Sequence, residues 1–207
     1  AQISTVTITE STSLGDNTPF PVELNVNPAN NANIQVSFYG PRYLTTTSTF
    51  NGGVSTFSGQ YSPSGMLWGS QGVATINAGT VNIGASATMY ASSIAVNGGV
   101  FNIFGKVGYP GNIPPIQVSG PGAVNSSGNI WGIIFATNGA TIQNSGTLFQ
   151  VNATSGAILT NSGHIGNVNA TSGTSFSING QFVYGGNVFN YGSIQTIYLE
   201  SGSSLVN

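Results

Sequence analysis

Asn144-Ser145-Gly146-Thr147-Leu148-Phe149-Gln150-Val151-Asn152-Ala153-Thr154-Ser155-Gly156 and Asn161-Ser162-Gly163-His164-Ile165-Gly166-Asn167-Val168-Asn169-Ala170-Thr171-Ser172-Gly173 are one unit written twice, seventeen residues apart. Asn179-Gly180 begins a looser third copy. Upstream, Gly79-Thr80-Val81-Asn82-Ile83 returns as Gly99-Val100-Phe101-Asn102-Ile103 after twenty residues. Short β-prone runs cut at fixed intervals by Gly and Asn indicate strand–turn units stacked on one another. Two architectures satisfy that pattern. The units are coils of a β-solenoid, with Asn and Gly at corners needing positive φ, or they are successive hairpins of a sandwich.

Outward from this stretch the same grammar continues. Val22, Leu24 and Val26 alternate with polar residues, as do Ile34, Val36 and Phe38, and each run ends at a Pro or Gly. Asn51-Gly52 is a hairpin signal between two Thr-rich runs. The predicted fold is therefore all-β, with a sandwich-like N-terminal part and a sandwich or solenoid in the rest. No segment has a sustained helical period. Ile130 to Phe135 reads as the most buried segment. Residues 111–122, with Pro114, Pro115 and Pro121, read as a linker or loop. The expected organisation is an extended N-terminal strand over 1–12, a β domain over 13–110, the linker, and a repeat-containing β domain over 123–207.

Only 3% of the 207 residues are charged, and the net charge is −2, against roughly 25% charged residues in ordinary domains. Two basic side chains cannot neutralise a phosphate backbone, so nucleic acid is not an expected partner. Weak colloidal repulsion favours association between copies. The chain has no Cys. The small residue at its start fits a secreted protein whose signal has been removed, and no apolar run is long enough for a membrane span.

Catalytic chemistry is hard to assemble from this inventory. The acids are Glu10, Asp16, Glu23 and Glu200, and their spacing supports no pair. His164, the single histidine, follows Asn-Ser-Gly and reads as a turn residue, with no Gly-x-Ser-x-Gly elbow for a nucleophile. One His and no Cys make no usual zinc site, and clustered acids for calcium are absent. No catalytic residue, metal or cofactor is expected. Asn125-Ser126-Ser127, Asn152-Ala153-Thr154 and Asn169-Ala170-Thr171 fit the N-glycosylation sequon, the last two at equivalent points of the repeat.

Ala1 to Glu10 is a terminal strand, with Val6 and Ile8 on one side and Thr5, Thr7 and Thr9 on the other. Such a strand either closes its own sheet or completes a neighbour's. Together with the all-β body, the scarcity of charge, the lack of Cys and the sequons, it resembles the subunits of archaeal extracellular filaments, the surface threads and donor-strand pili. The resemblance implies that Ile3, Val6 and Ile8 plug a groove of the next subunit. It also implies that Asn125, Asn152 and Asn169 carry N-linked glycans, on a homopolymer at the cell surface that serves adhesion or cell–cell contact. The alternative is a monomeric β-solenoid adhesin or glycan-binding surface protein.

Overall fold

The computed structural model describes residues 5–14, 23–28, 34–39, 47–58, 65–66, 72–154, 156–170, 174–178, 181–182, 187–190, 193–194 and 204–206. The protein is a parallel β-solenoid with three faces, and every strand pairing among the described residues is parallel. On the first face Thr5–Ile8, Glu23–Val26, the start of Thr47–Ser58 and the start of Val73–Ile83 stack in order. Ser93–Val96, Pro115–Ser119 and the later halves of Asn129–Thr137, Thr147–Ala153 and His164–Ala170 continue that stack. The second face runs through Gln35–Tyr39, Val100–Ile103, Ala123–Ser126, Thr141–Asn144 and Ile158–Asn161. The third holds Ala87–Met89, Lys106–Val107 and the first residues of Asn129–Thr137, Thr147–Ala153 and His164–Ala170.

All-β character and alternation are as expected, and of the two architectures open for the repeats the protein adopts the solenoid. The N-terminal strands are rungs of the same coil. Leu24, Val26, Ile34, Val36 and Phe38 point inward as their alternation predicts. Asn51-Gly52, expected to turn a hairpin, instead sits inside one continuous strand, Thr47–Ser58, which bends there from the first face to the second. The local requirement is the same in both cases. The corner needs a residue at positive φ, supplied by Gly53 at 69° and one rung on by Gly79 at 77°. A hairpin reverses the chain; this corner only turns it.

The segment 111–122 also differs from its reading. Pro115–Ser119 is a strand of the first face, paired with Ser93–Val96 on one side and Asn129–Thr137 on the other. Proline is tolerated because it is the first residue of the strand, and the Pro114 carbonyl still accepts the Ile133 N–H at 3.1 Å. The ladder is therefore continuous through this stretch.

Coil length varies along the solenoid. The chain takes 26 residues between Asn51 and Asn77, 20 between Asn77 and Asn97, and 17 between Asn144 and Asn161. One inward column of the first face reads Phe50, Ile76, Val96, Val118, Ala136, Ala153, Ala170 in successive rungs. All seven are buried. Side-chain volume falls along this column, while the adjacent inward column rises from Ser48 and Ala74 to Ile94, Ile116 and Ile134, so the columns share the filling of the interior. Wide coils stack rings, Phe38 on Phe57 at 4.2 Å between centroids. Each fully buried Val, Ile or Phe contributes roughly 1.5–3 kcal/mol, against a net 0.5–1.5 kcal/mol for a ladder hydrogen bond. The apolar columns thus decide stability, and the ladder decides register.

Some inward positions are polar, among them Ser48, Ser55 and Ser126. Ser55 is fully buried between Val36 and Val81, and its hydroxyl has no partner. Ser55→Ala is expected to raise the unfolding free energy by about 1 kcal/mol, since it removes an unsatisfied polar atom. A higher urea midpoint at unchanged slope is the expected reading.

Candidate functional site

A solenoid can present function at its ends and on the outward columns of its faces. At the N-terminal end, Thr5–Ile8 is the first rung and pairs in register with Glu23–Val26 of its own chain, Val6 opposite Leu24 and Ile8 opposite Val26. Ile8 is buried, and Val6 is half-buried against the core. Thr5 Oγ1 donates to a Glu23 carboxylate oxygen at 3.1 Å. Ile3 lies outside the described residues. Among those residues no strand pairs with the other edge of Thr5–Ile8, nor with the other edge of Thr12–Leu14 beside it. Among the described residues, then, the outer edge of this rung has no partner, and Val6 and Leu14 are partly buried against the core.

The three sequon asparagines fall on two faces. Asn152 and Asn169 occupy adjacent rungs of one outward column of the first face. Asn169 Nδ2 donates to Asn152 Oδ1 at 2.8 Å, and Gln150 Nε2 donates to the same oxygen at 2.9 Å. Asn125 is on the second face, at the end of a stack that begins at Thr56. Asn82 Nδ2 donates to Thr56 Oγ1 at 3.2 Å, Asn102 to Asn82 at 2.9 Å, and Asn125 to Asn102 at 2.9 Å. Amide ladders of this kind arise because a parallel register places identical side chains one rung, about 4.8 Å, apart. Each can then donate to the one before it. They supply on the outside what charge supplies on an ordinary protein surface, a hydrated polar cover.

Inside the corner between the second and third faces lies a buried pair. Asn144 Nδ2 donates to Asn161 Oδ1 at 2.6 Å and to the Gly146 carbonyl at 3.1 Å, while Asn144 Oδ1 accepts from the Gly146 N–H at 3.1 Å. Asn161 repeats part of this through Nδ2 to the Gly163 carbonyl at 2.9 Å. This is the role of the Asn-Ser-Gly repeat: the side chain closes the corner on its own backbone.

His164 is exposed at the head of a strand, its N–H bonded to the Gly146 carbonyl at 2.8 Å. It begins a strand where the sequence reads as a turn, because the corner is completed by Gly163. Lys106 is exposed on the same face. Asp16, Arg42 and Glu200 lie outside the described residues. Among the described residues, no group of three His, Cys, Asp or Glu side chains is placed to hold a metal ion, and no helix is long and apolar enough to cross a membrane.

Two grooves open on the outer surface. One, of about 270 Å³, follows the second face and its corner, with Phe104, Asn125, Gln143 and Thr160 among its walls. The other, of about 210 Å³, is lined by Trp131, Phe149, Gly166, Asn129 and Thr147, with Ile130 and Leu148 beneath. The segment expected to be most buried is divided. Ile130 and Ile134 are in the core, whereas Trp131 is 37% exposed and Phe135 38%. Strict alternation carries the signal that identifies Trp131 as outward, and the apolar composition of the run masks it.

The class defined by this geometry is a parallel, three-faced β-solenoid with a charge-poor, amide-rich exterior. No family model matches the chain, and no curated protein or solved structure is significantly similar to it.

Proposed function

We propose that the protein is a non-catalytic structural subunit of an extracellular filament, joined to the next copy by β-strand addition at its N-terminal rung and serving adhesion or cell–cell contact. The observation that supports this reading is that no described strand pairs with the outer edge of Thr5–Ile8. Edge strands are normally blunted by Lys, Pro or a bulge. Thr5-Val6-Thr7-Ile8 has none of these. A strand of a second copy laid against this edge would gain main-chain hydrogen bonds and would cover Val6 and Leu14. Scarce charge leaves little repulsion to oppose the contact. In this reading Asn125, Asn152 and Asn169 carry N-linked glycans. Asn152 and Asn169 stand one rung apart, so crowding would leave one of that pair occupied per molecule.

The test uses electron microscopy of the native protein beside two variants. The first lacks residues 1–10. The second is Thr7→Pro. The Ile8 carbonyl accepts the Asn27 N–H at 2.9 Å within the chain. Backbone groups alternate sides along a strand, so the Thr7 N–H faces outward. Proline there removes the outward donor and spares the inward ladder. Filaments are expected from the native protein and from neither variant. Monomeric native protein, or filaments from both variants, overturns the polymer reading in favour of a monomeric solenoid adhesin. An unshifted intact mass of the native protein removes the glycans from it.

A further inference from the structure

On the third face the residues Met89, Val107, Ile130, Leu148 and Ile165 stack in register and are buried. The next residue in each rung therefore stands at the outer corner: Tyr90, Gly108, Trp131, Phe149, Gly166. Gly108 has no side chain and is buried; a Cβ there would lie 2.6 Å from the Asn112 carbonyl oxygen and 3.4 Å from the Trp131 Cβ. Tyr109, 46% exposed, follows Gly108 in a turn bridged to Asn112 and meets Tyr90 edge to face at 5.2 Å. Trp131 and Phe149 are 6.3 Å apart with their planes 31° from parallel. Trp131 and Phe149 thus form a pair of rings on adjacent rungs about 4.8 Å apart along the axis, and Tyr90 and Tyr109 form a second pair. The first pair ends at Gly166, where the missing side chain opens the groove beside Phe149.

These rings differ from the two amide ladders. The amide ladders from Asn51 to Asn97 and from Thr56 to Asn125 are polar in every rung. Trp131 is 37% exposed and Phe149 half-buried beside an open groove, so a ligand seated there would bury ring area that water now meets. The chemistry of the walls narrows its class. Beside the rings runs a column of Thr88, Lys106, Asn129, Thr147 and His164, which holds no acid. Of these, Asn129 and Thr147 line the groove. Flat apolar rings bordered by an amide and a hydroxyl match a sugar ring, with its apolar C–H face and hydroxyl edge. Nucleic acid would need more than the one Lys. A lipid surface would leave the amide and hydroxyl of the rim without partners.

We propose that the groove of Trp131 and Phe149 binds a linear, uncharged glycan laid along the solenoid axis. Successive sugar units stack on successive rings, and Asn129 and Thr147 bond their hydroxyls. The site works in a single copy and does not depend on filament formation.

The full chain is titrated with cellohexaose, chitohexaose, xylohexaose and mannohexaose, followed by calorimetry and tryptophan fluorescence. Affinity electrophoresis through hydroxyethylcellulose, glucomannan and polygalacturonate runs alongside. At least one uncharged glycan is expected to bind, and Trp131→Ala is expected to weaken it tenfold or more with an unchanged circular dichroism spectrum. Asn129→Ala, which leaves the core untouched, should weaken the same ligand severalfold. Phe104→Ala, in the other groove, should leave it unchanged. Binding to none of the uncharged glycans overturns the proposal, as does equal binding by Trp131→Ala, or binding confined to polygalacturonate and lost in salt. Trp131→Ala that abolishes self-association in sedimentation, with no glycan bound, would assign the rings to contacts between copies and would equally overturn it.

Discussion

Gly128→Ala is expected to destabilise the protein by roughly 3 kcal/mol or more, at the upper end of what overpacking costs. A Cβ at Gly128 would lie 1.9 Å from the Gly105 carbonyl oxygen and 2.8 Å from the Phe104 carbonyl carbon. These are backbone atoms, so no side chain can swing away. The neighbours repeat the constraint: a Cβ at Gly146 would meet the Gly128 carbonyl at 2.0 Å, and one at Gly163 the Gly146 carbonyl at 2.1 Å. The corner between the second and third faces is packed backbone on backbone over these rungs. Relief at one level requires a shift in the levels above and below it. The ladder bonds from Asn129 N–H to the Gly105 carbonyl and from Thr147 N–H to the Gly128 carbonyl, both 2.9 Å, would be strained together. Gly139→Ala is the informative comparison. Gly139 has φ 83° and open space around its Cβ position, so only conformational strain applies, about 1–2 kcal/mol. Denaturant midpoints for the two variants should therefore separate clearly. Equal losses would show that the corner relaxes and that close approach is not the reason for glycine.

The second large effect is expected at Asn144. Replacement by Ala leaves the Gly146 N–H and Asn161 Oδ1 without the partners they have now, in a site where Asn144 is 4% exposed and Asn161 1%. Unsatisfied buried groups cost about 1–3 kcal/mol each, and the expected loss is roughly 2–4 kcal/mol. Because the two amides bond each other, Asn144→Ala with Asn161→Ala should cost less than the sum of the single changes. Strict additivity in a denaturation cycle would mean that the 2.6 Å contact contributes nothing. Ile103 and Ser126 occupy the same column in earlier rungs, so the column accepts other residues where the corner is built differently. The amide belongs to the Asn-Ser-Gly corner itself.

These two positions mark how far the sequence could be read. The Asn-Ser-Gly repeat is visible as a repeat, and its seventeen-residue period is the pitch of the coil. Its buried role is not visible, since Asn beside Ser and Gly reads equally as an exposed turn. The candidate surfaces divide in the same way. The sequons and the terminal strand are local patterns and can be found by inspection. Trp131 and Phe149 stand eighteen residues apart where the coil on either side takes different lengths, so their alignment depends on how the chain is wound.

What the sequence by itself determined is the material and the alternation. It specifies strands without helices, an exterior of amides and hydroxyls in place of charge, and the inward set from Leu24 and Val26 to Ile34, Val36 and Phe38. These follow from composition and from a period of two, which act within a few residues. What only the tertiary structure decided is the direction of pairing and the register. Asn51-Gly52-Gly53 satisfies a hairpin and a solenoid corner equally well, because both need positive φ and neither need reaches beyond the turn. The choice is made by contacts 17 to 26 residues away along the chain. The same contacts turn Pro115–Ser119 into a rung and bring Trp131 beside Phe149.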